Sequence, residues 1–200
     1  ATSDFKGITK VWNTETGDLI SAIGSKKDRG VVAGWNIAGD KVLINPFAKG
    51  DLRAVDPKSG RTIYEFATSM PNGTVFSHDM LLLVTVPRKN KSVLFQVWET
   101  ETGKLLATVP RAKNQDSPVS IKWSSDNKMI ATAEGVEKEV KLWSTTGELL
   151  QTLRNSKMPM EFSEDGRYLA TGGVLANAKT DTGYLWEFGL KETDERLAMK

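Results

Sequence analysis

Lys10-Val11-Trp12-Asn13-Thr14-Glu15-Thr16-Gly17 and Gln96-Val97-Trp98-Glu99-Thr100-Glu101-Thr102-Gly103 are two copies of one pattern. An apolar strand ends in Trp, and a polar turn closes on Gly. Lys141-Leu142-Trp143-Ser144-Thr145-Thr146-Gly147 repeats it, and Arg53-Ala54-Val55-Asp56-Pro57-Lys58-Ser59-Gly60 repeats it with Val in place of Trp. Tyr184-Leu185-Trp186-Glu187 starts it a fifth time. The anchors stand at 12, 55, 98, 143 and 186, in steps of 43, 43, 45 and 43.

A fixed period of about 40–45 residues marks the blades of a β-propeller. Each period holds four short strand signals, rich in β-branched and aromatic residues and bounded by Gly, Asp, Asn or Pro. Lettered from the innermost strand outward, strand a is expected at Val31–Trp35, Thr74–Ser77, Val119–Ser124 and Met158–Ser163. Strand b is expected at Lys41–Ile44, Met80–Val86, Met129–Ala133 and Tyr168–Gly172. Strand c follows at Lys10–Trp12, Asp51–Val55, Val93–Trp98, Val140–Trp143 and Gly183–Trp186. Strand d follows at Leu19–Ile23, Thr62–Phe66, Leu105–Val109 and Glu148–Leu153. The turns from a to b, such as Phe162-Ser163-Glu164-Asp165-Gly166 and Trp123-Ser124-Ser125-Asp126-Asn127, have the composition of tight hairpins.

This pattern resembles the WD-repeat family of β-propellers. The resemblance rests on Val11-Trp12, Val97-Trp98, Leu142-Trp143 and Leu185-Trp186, on the Phe162 to Gly166 turn, and on the connections Thr16 to Leu19, Thr102 to Leu105 and Thr146 to Leu149. It runs from about Gly7 to Phe188. It implies an all-β fold of four-stranded antiparallel blades. The family's Asp after Trp is replaced by Asn13, Glu99 and Ser144, and no Gly-His pair precedes strand a. The network linking that His to the Trp therefore cannot form, and the blades are divergent. The expected strands number seventeen, or four blades and one strand over. About four blades are thus expected, as part of a larger ring, with a small closed ring or completion by a second chain as alternatives. Residues 1–188 are read as blades and 189–200 as a tail or linker, with Lys191 to Leu197 able to start a short helix.

Composition narrows the function. With 26% charged and 39% hydrophobic residues the chain suits a soluble globular fold. A net charge of +2 does not by itself point to nucleic acid. No apolar run approaches the roughly 20 residues of a membrane helix, and Ala1 to Lys6 shows no leader pattern, so a cytoplasmic protein without membrane contact is expected. There is no cysteine, which removes disulfides, thiolate metal sites and Cys nucleophiles. The one histidine, His78, stands in a turn position filled elsewhere by Ile37, Ser125 and Glu164, so it reads as a turn residue, not a general base. No catalytic residue, metal site or cofactor is expected. Asp126-Asn127 and Glu164-Asp165-Gly166 lack the ligand run of a calcium loop. The repeated Trp residues, with Trp35, Phe76, Trp123 and Phe162 on strand a, read as packing between blades.

Charge separates by end. The loops from d to a and from b to c hold thirteen bases against five acids, and the turns at the opposite end hold eleven acids against five bases. The candidate binding residues are Lys26, Lys27, Arg29, Arg88, Lys89, Lys91, Arg111, Lys113, Arg154 and Lys157. Clustered bases attract acidic ligands, although charged loops also serve solubility alone. The expectation is a non-catalytic scaffold that docks a protein partner, acidic or phosphorylated, within a multi-subunit complex. The alternative is RNA or another polyanion on the same basic face.

Overall fold

The computed structural model describes residues 1–25, 29–46, 50–68, 71–87, 90–113, 118–134, 139–173, 183–188 and 197–198. Among them every regular element is a strand. The strands are β1 (Thr2–Ser3), β2 (Thr9–Trp12), β3 (Leu19–Ile23), β4 (Gly30–Trp35), β5 (Val42–Pro46), β6 (Leu52–Val55), β7 (Thr62–Phe66), β8 (Pro71–Phe76), β9 (Leu82–Pro87) and β10 (Val93–Glu99). They continue as β11 (Leu105–Pro110), β12 (Pro118–Trp123), β13 (Met129–Glu134), β14 (Glu139–Ser144), β15 (Leu149–Arg154), β16 (Ser156–Phe162), β17 (Tyr168–Gly173), β18 (Gly183–Glu187) and β19 (Leu197–Ala198). They form five antiparallel meanders in chain order: a three-stranded first sheet, β1 to β3, and four sheets of four strands. Two compact units divide at Thr108 and Val109.

The expected strands all form. Two more appear than the seventeen expected, because each end of the chain adds a two-residue strand. Thr2–Ser3 pairs with β2, and Leu197–Ala198 pairs with β18 in the stretch read as tail or short helix. Two residues are too few to show an alternating pattern. The result is five sheets, not four and one strand over.

In the first unit, Val11 and Ile23 of the first sheet pack on Val42, Ile44 and Val55 of the second. Leu43, Leu52, Ala54 and Phe66 of the second sheet pack on Leu83 and Trp98 of the third. In the second unit, Ala131, Ala133, Val140, Leu142 and Leu153 pack on Met160, Phe162 and Leu169, with Trp186 partly buried against them. One rule covers these contacts. A sheet presents alternate strand residues forward, and the next sheet meets them with the face that carries the Trp.

The Trp positions keep part of a polar network. Trp98 Nε1 donates to Thr85 Oγ1 at 2.8 Å, Trp143 to Thr132 at 2.9 Å and Trp186 to Thr171 at 3.1 Å. Trp12 donates to Thr2 at 3.0 Å. For Trp98, Trp143 and Trp186 the acceptor is on the neighbouring strand, two residues beyond the position paired with the Trp. In the second sheet Val55 pairs with Val42, so the acceptor position falls on Ile44. Both partners are apolar there, and both are buried. Exchanging donor and acceptor together leaves no buried polar group unpaired, which avoids the desolvation cost of a lone donor or acceptor.

The two turn types are also uniform. In each a-to-b turn a side-chain oxygen accepts the backbone N–H five residues on: Asn36 from Lys41, Ser77 from Leu82, Ser124 from Met129 and Ser163 from Tyr168. In each c-to-d turn the closing Gly is left-handed, with φ of 77° at Gly17, 71° at Gly60, 72° at Gly103 and 83° at Gly147. That conformation suits a residue without Cβ.

Strand d also reaches the next sheet. Ser21 Oγ donates to the carbonyl of Pro57, and Tyr64 Oη, at the equivalent position, donates to the carbonyl of Thr100 at 2.6 Å. Burial pushes the Tyr64 phenol up to about 12. A raised folded-state value means that this contact stabilises fully below the ordinary phenol value, about 10, and is lost as pH rises through the folded one. In an alkaline absorbance titration Tyr64 should ionise well above a free tyrosine, and Tyr64→Phe should remove that late step. Loss of no late step on that substitution would contradict the placement.

Candidate functional site

The loop end that the sequence marks as basic is built differently in the two units. In the first, Arg29 precedes β4 and Lys91 precedes β10, and both are exposed. In the second, Arg111 and Lys113 precede β12, while Arg154 and Lys157 flank the tight turn from β15 to β16. Lys113, Arg154 and Lys157 are exposed and Arg111 is half-buried. β12 and β16 are the innermost strands of neighbouring sheets and lie in contact. Lys122 Nζ on β12 and Glu161 Oε2 on β16 join them at 2.6 Å. Arg111 and Lys113 thus lie in the connection from β11 to β12, and Arg154 and Lys157 bracket the start of β16, while the Lys122–Glu161 pair joins the two strands at their other end. Lys26, Lys27, Arg88 and Lys89 lie outside the described residues.

The acids near this group have local partners. Glu134 is buried, and its Oε1 stands 3.2 Å from Lys141 Nζ. Glu139 Oε1 is 3.9 Å from Arg154 Nε. At the opposite end the acids work inside the turns. Asp79, Asp126 and Asp165 accept the hydroxyls of Ser77, Ser124 and Ser163 at 2.6, 2.7 and 2.6 Å. Asp56 accepts the N–H groups of Lys58 and Ser59. The backbone hydrogen bond from Ser59 holds the Asp56 carboxyl below the ordinary carboxylate value, and the hydroxyl of Ser163 does the same for Asp165. Glu101 reaches from the third sheet to the second, 3.0 Å from Lys41 Nζ and 2.8 Å from Asn36 Nδ2. The acidic end is therefore largely turn architecture.

A feature outside the sequence reading lies on the fifth sheet. The register between β16 and β17 shifts between Lys157 and Met160, leaving Met158 and Pro159 as a bulge. Beside it is a cavity of about 510 Å³, lined by Lys157, Met158, Pro159, Met160, Glu161, Ala170, Thr171, Gly172 and Gly183. The Met-Pro pair within strand a was its only sequence signal. His78 is exposed in its turn. Among the described residues no group of His, Cys, Asp and Glu could hold a metal ion, and no helix is long and apolar enough to cross a membrane.

A scan against protein-family models gives no match, and neither does a search of curated proteins. Solved structures do match. The β-propeller domain of Cps50 (Swd1) from Myceliophteria thermophila aligns with a TM-score of 0.68 at 14% identity, over 94% of this chain and 65% of that one. The chain has the β-propeller fold. A eukaryotic initiation factor structure aligns at 0.64 and 15% identity, over 92% of this chain and 47% of that one. The hydrazine synthase of Kuenenia stuttgartiensis aligns at 0.61 and 12%, over 92% and 57%. The propeller described here spans about half to two thirds of the length of these structures. The five sheets are propeller blades, and the basic loops stand where strands a and c begin.

Proposed function

We propose that this chain is a divergent WD-repeat propeller acting as a non-catalytic scaffold, with its basic loop end as the docking surface for an acidic or phosphorylated protein segment. One observation supports the reading: Arg111 and Lys113 lie in the connection leading to β12, Arg154 and Lys157 bracket the start of β16, and β12 and β16 are neighbouring innermost strands. Rigid blades hold these loops in place, and loops on such scaffolds carry recognition. Of the nearby acids, Glu134 is paired with Lys141, outside this set, and Glu139 stands 3.9 Å from Arg154 within it. A field of one sign raises the encounter rate with acidic partners. A cytoplasmic home and membership of a larger complex belong to the same reading.

The test is affinity capture from nuclease-treated lysate, with the parent chain beside the variant Lys91→Ser, Lys113→Ser and Lys157→Ser. These side chains are exposed, so the fold should survive. Proteins held by the parent should be lost by the variant, and their retention should fall with salt. If both baits hold the same proteins, the basic end is only a solvated surface. If binding vanishes on nuclease treatment, and log affinity for RNA falls linearly with log salt, the ligand is a nucleic-acid backbone.

A further inference from the structure

The ladders between strands c and d share an irregularity. In the second blade Ala54 pairs with Tyr64 and Val55 with Thr62, so Ile63 is an extra residue between them. Ile20 of the first blade and Leu150 of the fourth are left over in the same way. Each stands three residues after the closing Gly of its turn, and Leu106 holds that place in the third blade. A bulge leaves its extra residue unpaired and re-aims the side chain. Here all four are aliphatic, and they are 43–50% exposed on the outermost strands.

The charge beside this residue changes from blade to blade. The position after the closing Gly holds Asp18 in the first, Arg61 in the second, Lys104 in the third and Glu148 in the fourth. The two bases belong to neighbouring blades of the first unit. Tyr64, next to Ile63, donates to the Thr100 carbonyl, and its ring covers Gly103, next to Lys104. That contact joins the two positions into one patch. The acids around it are engaged elsewhere. Asp56 accepts the N–H groups of Lys58 and Ser59, Glu99 accepts the Thr102 hydroxyl, and Asp40 and Glu101 hold Asn36 and Lys41. Glu65, further along β7, stands opposite Arg53. Arg61 and Lys104 are exposed, and among the described residues neither side chain meets an acid.

We propose that this outer edge of the second and third blades is a docking surface separate from the basic loop end, and that its occupant is an acidic peptide segment of a partner protein with apolar anchor residues. Ile63 and Leu106 receive the anchors, and Arg61 and Lys104 receive carboxylates beside them. Charges that flank an apolar contact select and steer the partner. Asp18 and Glu148 repel such a segment from the first and fourth blades, which carry the same exposed aliphatic residue, so charge fixes which blades are read.

Selection from a displayed library of short random peptides on the full chain tests this, with the variant Arg61→Glu plus Lys104→Glu selected in parallel. The parent should yield peptides in which Asp or Glu flank apolar residues, and the variant should not. In fluorescence anisotropy their affinity should fall at least about tenfold with that variant and with Ile63→Ser. It should stay unchanged with Lys91→Ser, Lys113→Ser and Lys157→Ser together, which separates this edge from the loop end. The substituted side chains are exposed, so the urea midpoint should hold, and Leu106→Ser serves if Ile63→Ser lowers it. Peptides that bind the parent and the Arg61→Glu plus Lys104→Glu variant equally overturn the proposal. So does a parent yield without acidic residues, or an edge that holds an RNA homopolymer and no peptide.

Discussion

Trp98→Ala is expected to destabilise the first unit by about 3–5 kcal/mol, the usual cost of truncating a buried indole. Three contacts go at once. The ring packs among Leu43, Leu52 and Phe66 across the second and third blades, it meets the Phe66 ring edge-on at 5.9 Å, and its N–H is bonded to Thr85. Thr85→Val alone should cost about 1–3 kcal/mol, because it leaves the indole N–H buried without an acceptor. The more telling variant is the pair Trp98→Val with Thr85→Ile, which copies Val55 and Ile44 of the second blade. Its cost should fall short of the sum of Trp98→Val and Thr85→Ile made singly, as expected for residues that share a contact. Urea unfolding followed by circular dichroism measures each variant. Strictly additive costs would mean that the Trp–Thr pair is not a unit.

Gly103→Ala should be the most damaging of the turn substitutions, at about 2–4 kcal/mol, combining left-handed strain with overpacking. A Cβ there would stand 2.6 Å from Tyr64 Cδ2. The Tyr64 ring cannot swing away freely. Its hydroxyl is bonded to the Thr100 carbonyl, and its ring lies against Phe66 at 5.5 Å. Gly17 has nearly the same φ, with nothing near its missing Cβ. Gly17→Ala should therefore cost only the backbone strain, about 1–2 kcal/mol. Tyr64→Ser, which imitates Ser21 of the first blade, should recover part of the loss at Gly103. Equal costs at Gly17 and Gly103 would show that the Tyr64 contact is unimportant.

The repeat made the blades legible, since Trp spacing and closing glycines depend on local chemistry that recurs. Aligning the strand-b segments also exposes Thr85, Thr132 and Thr171 against Ile44, so the paired replacement could have been read with the Trp positions. The end strands could not. Thr2–Ser3 is held by Trp12 and by the bond from Ser3 to Thr9, contacts that composition does not announce. Nor could charge counting separate two kinds of acid. Asp126 and Asp165 look like free surface charge until their serine partners are placed. The candidate bases were legible as a set, but that the loop of Arg111 and Lys113 leads to a strand touching the one that Arg154 and Lys157 flank needed the contact of β12 with β16. The cavity depends on a bulge in register, and Met158-Pro159 alone does not specify it.

The second blade's Val55 and Ile44 also bear on how such repeats diverge. A copy that begins with Trp and Thr cannot reach Val and Ile one substitution at a time without an intermediate. Changing Thr first strands a buried N–H, and changing Trp first opens a void beside a hydroxyl. Each route crosses a less stable protein, so the two positions should be inherited as a linked choice. A library that varies them separately would undercount the sequences this blade accepts.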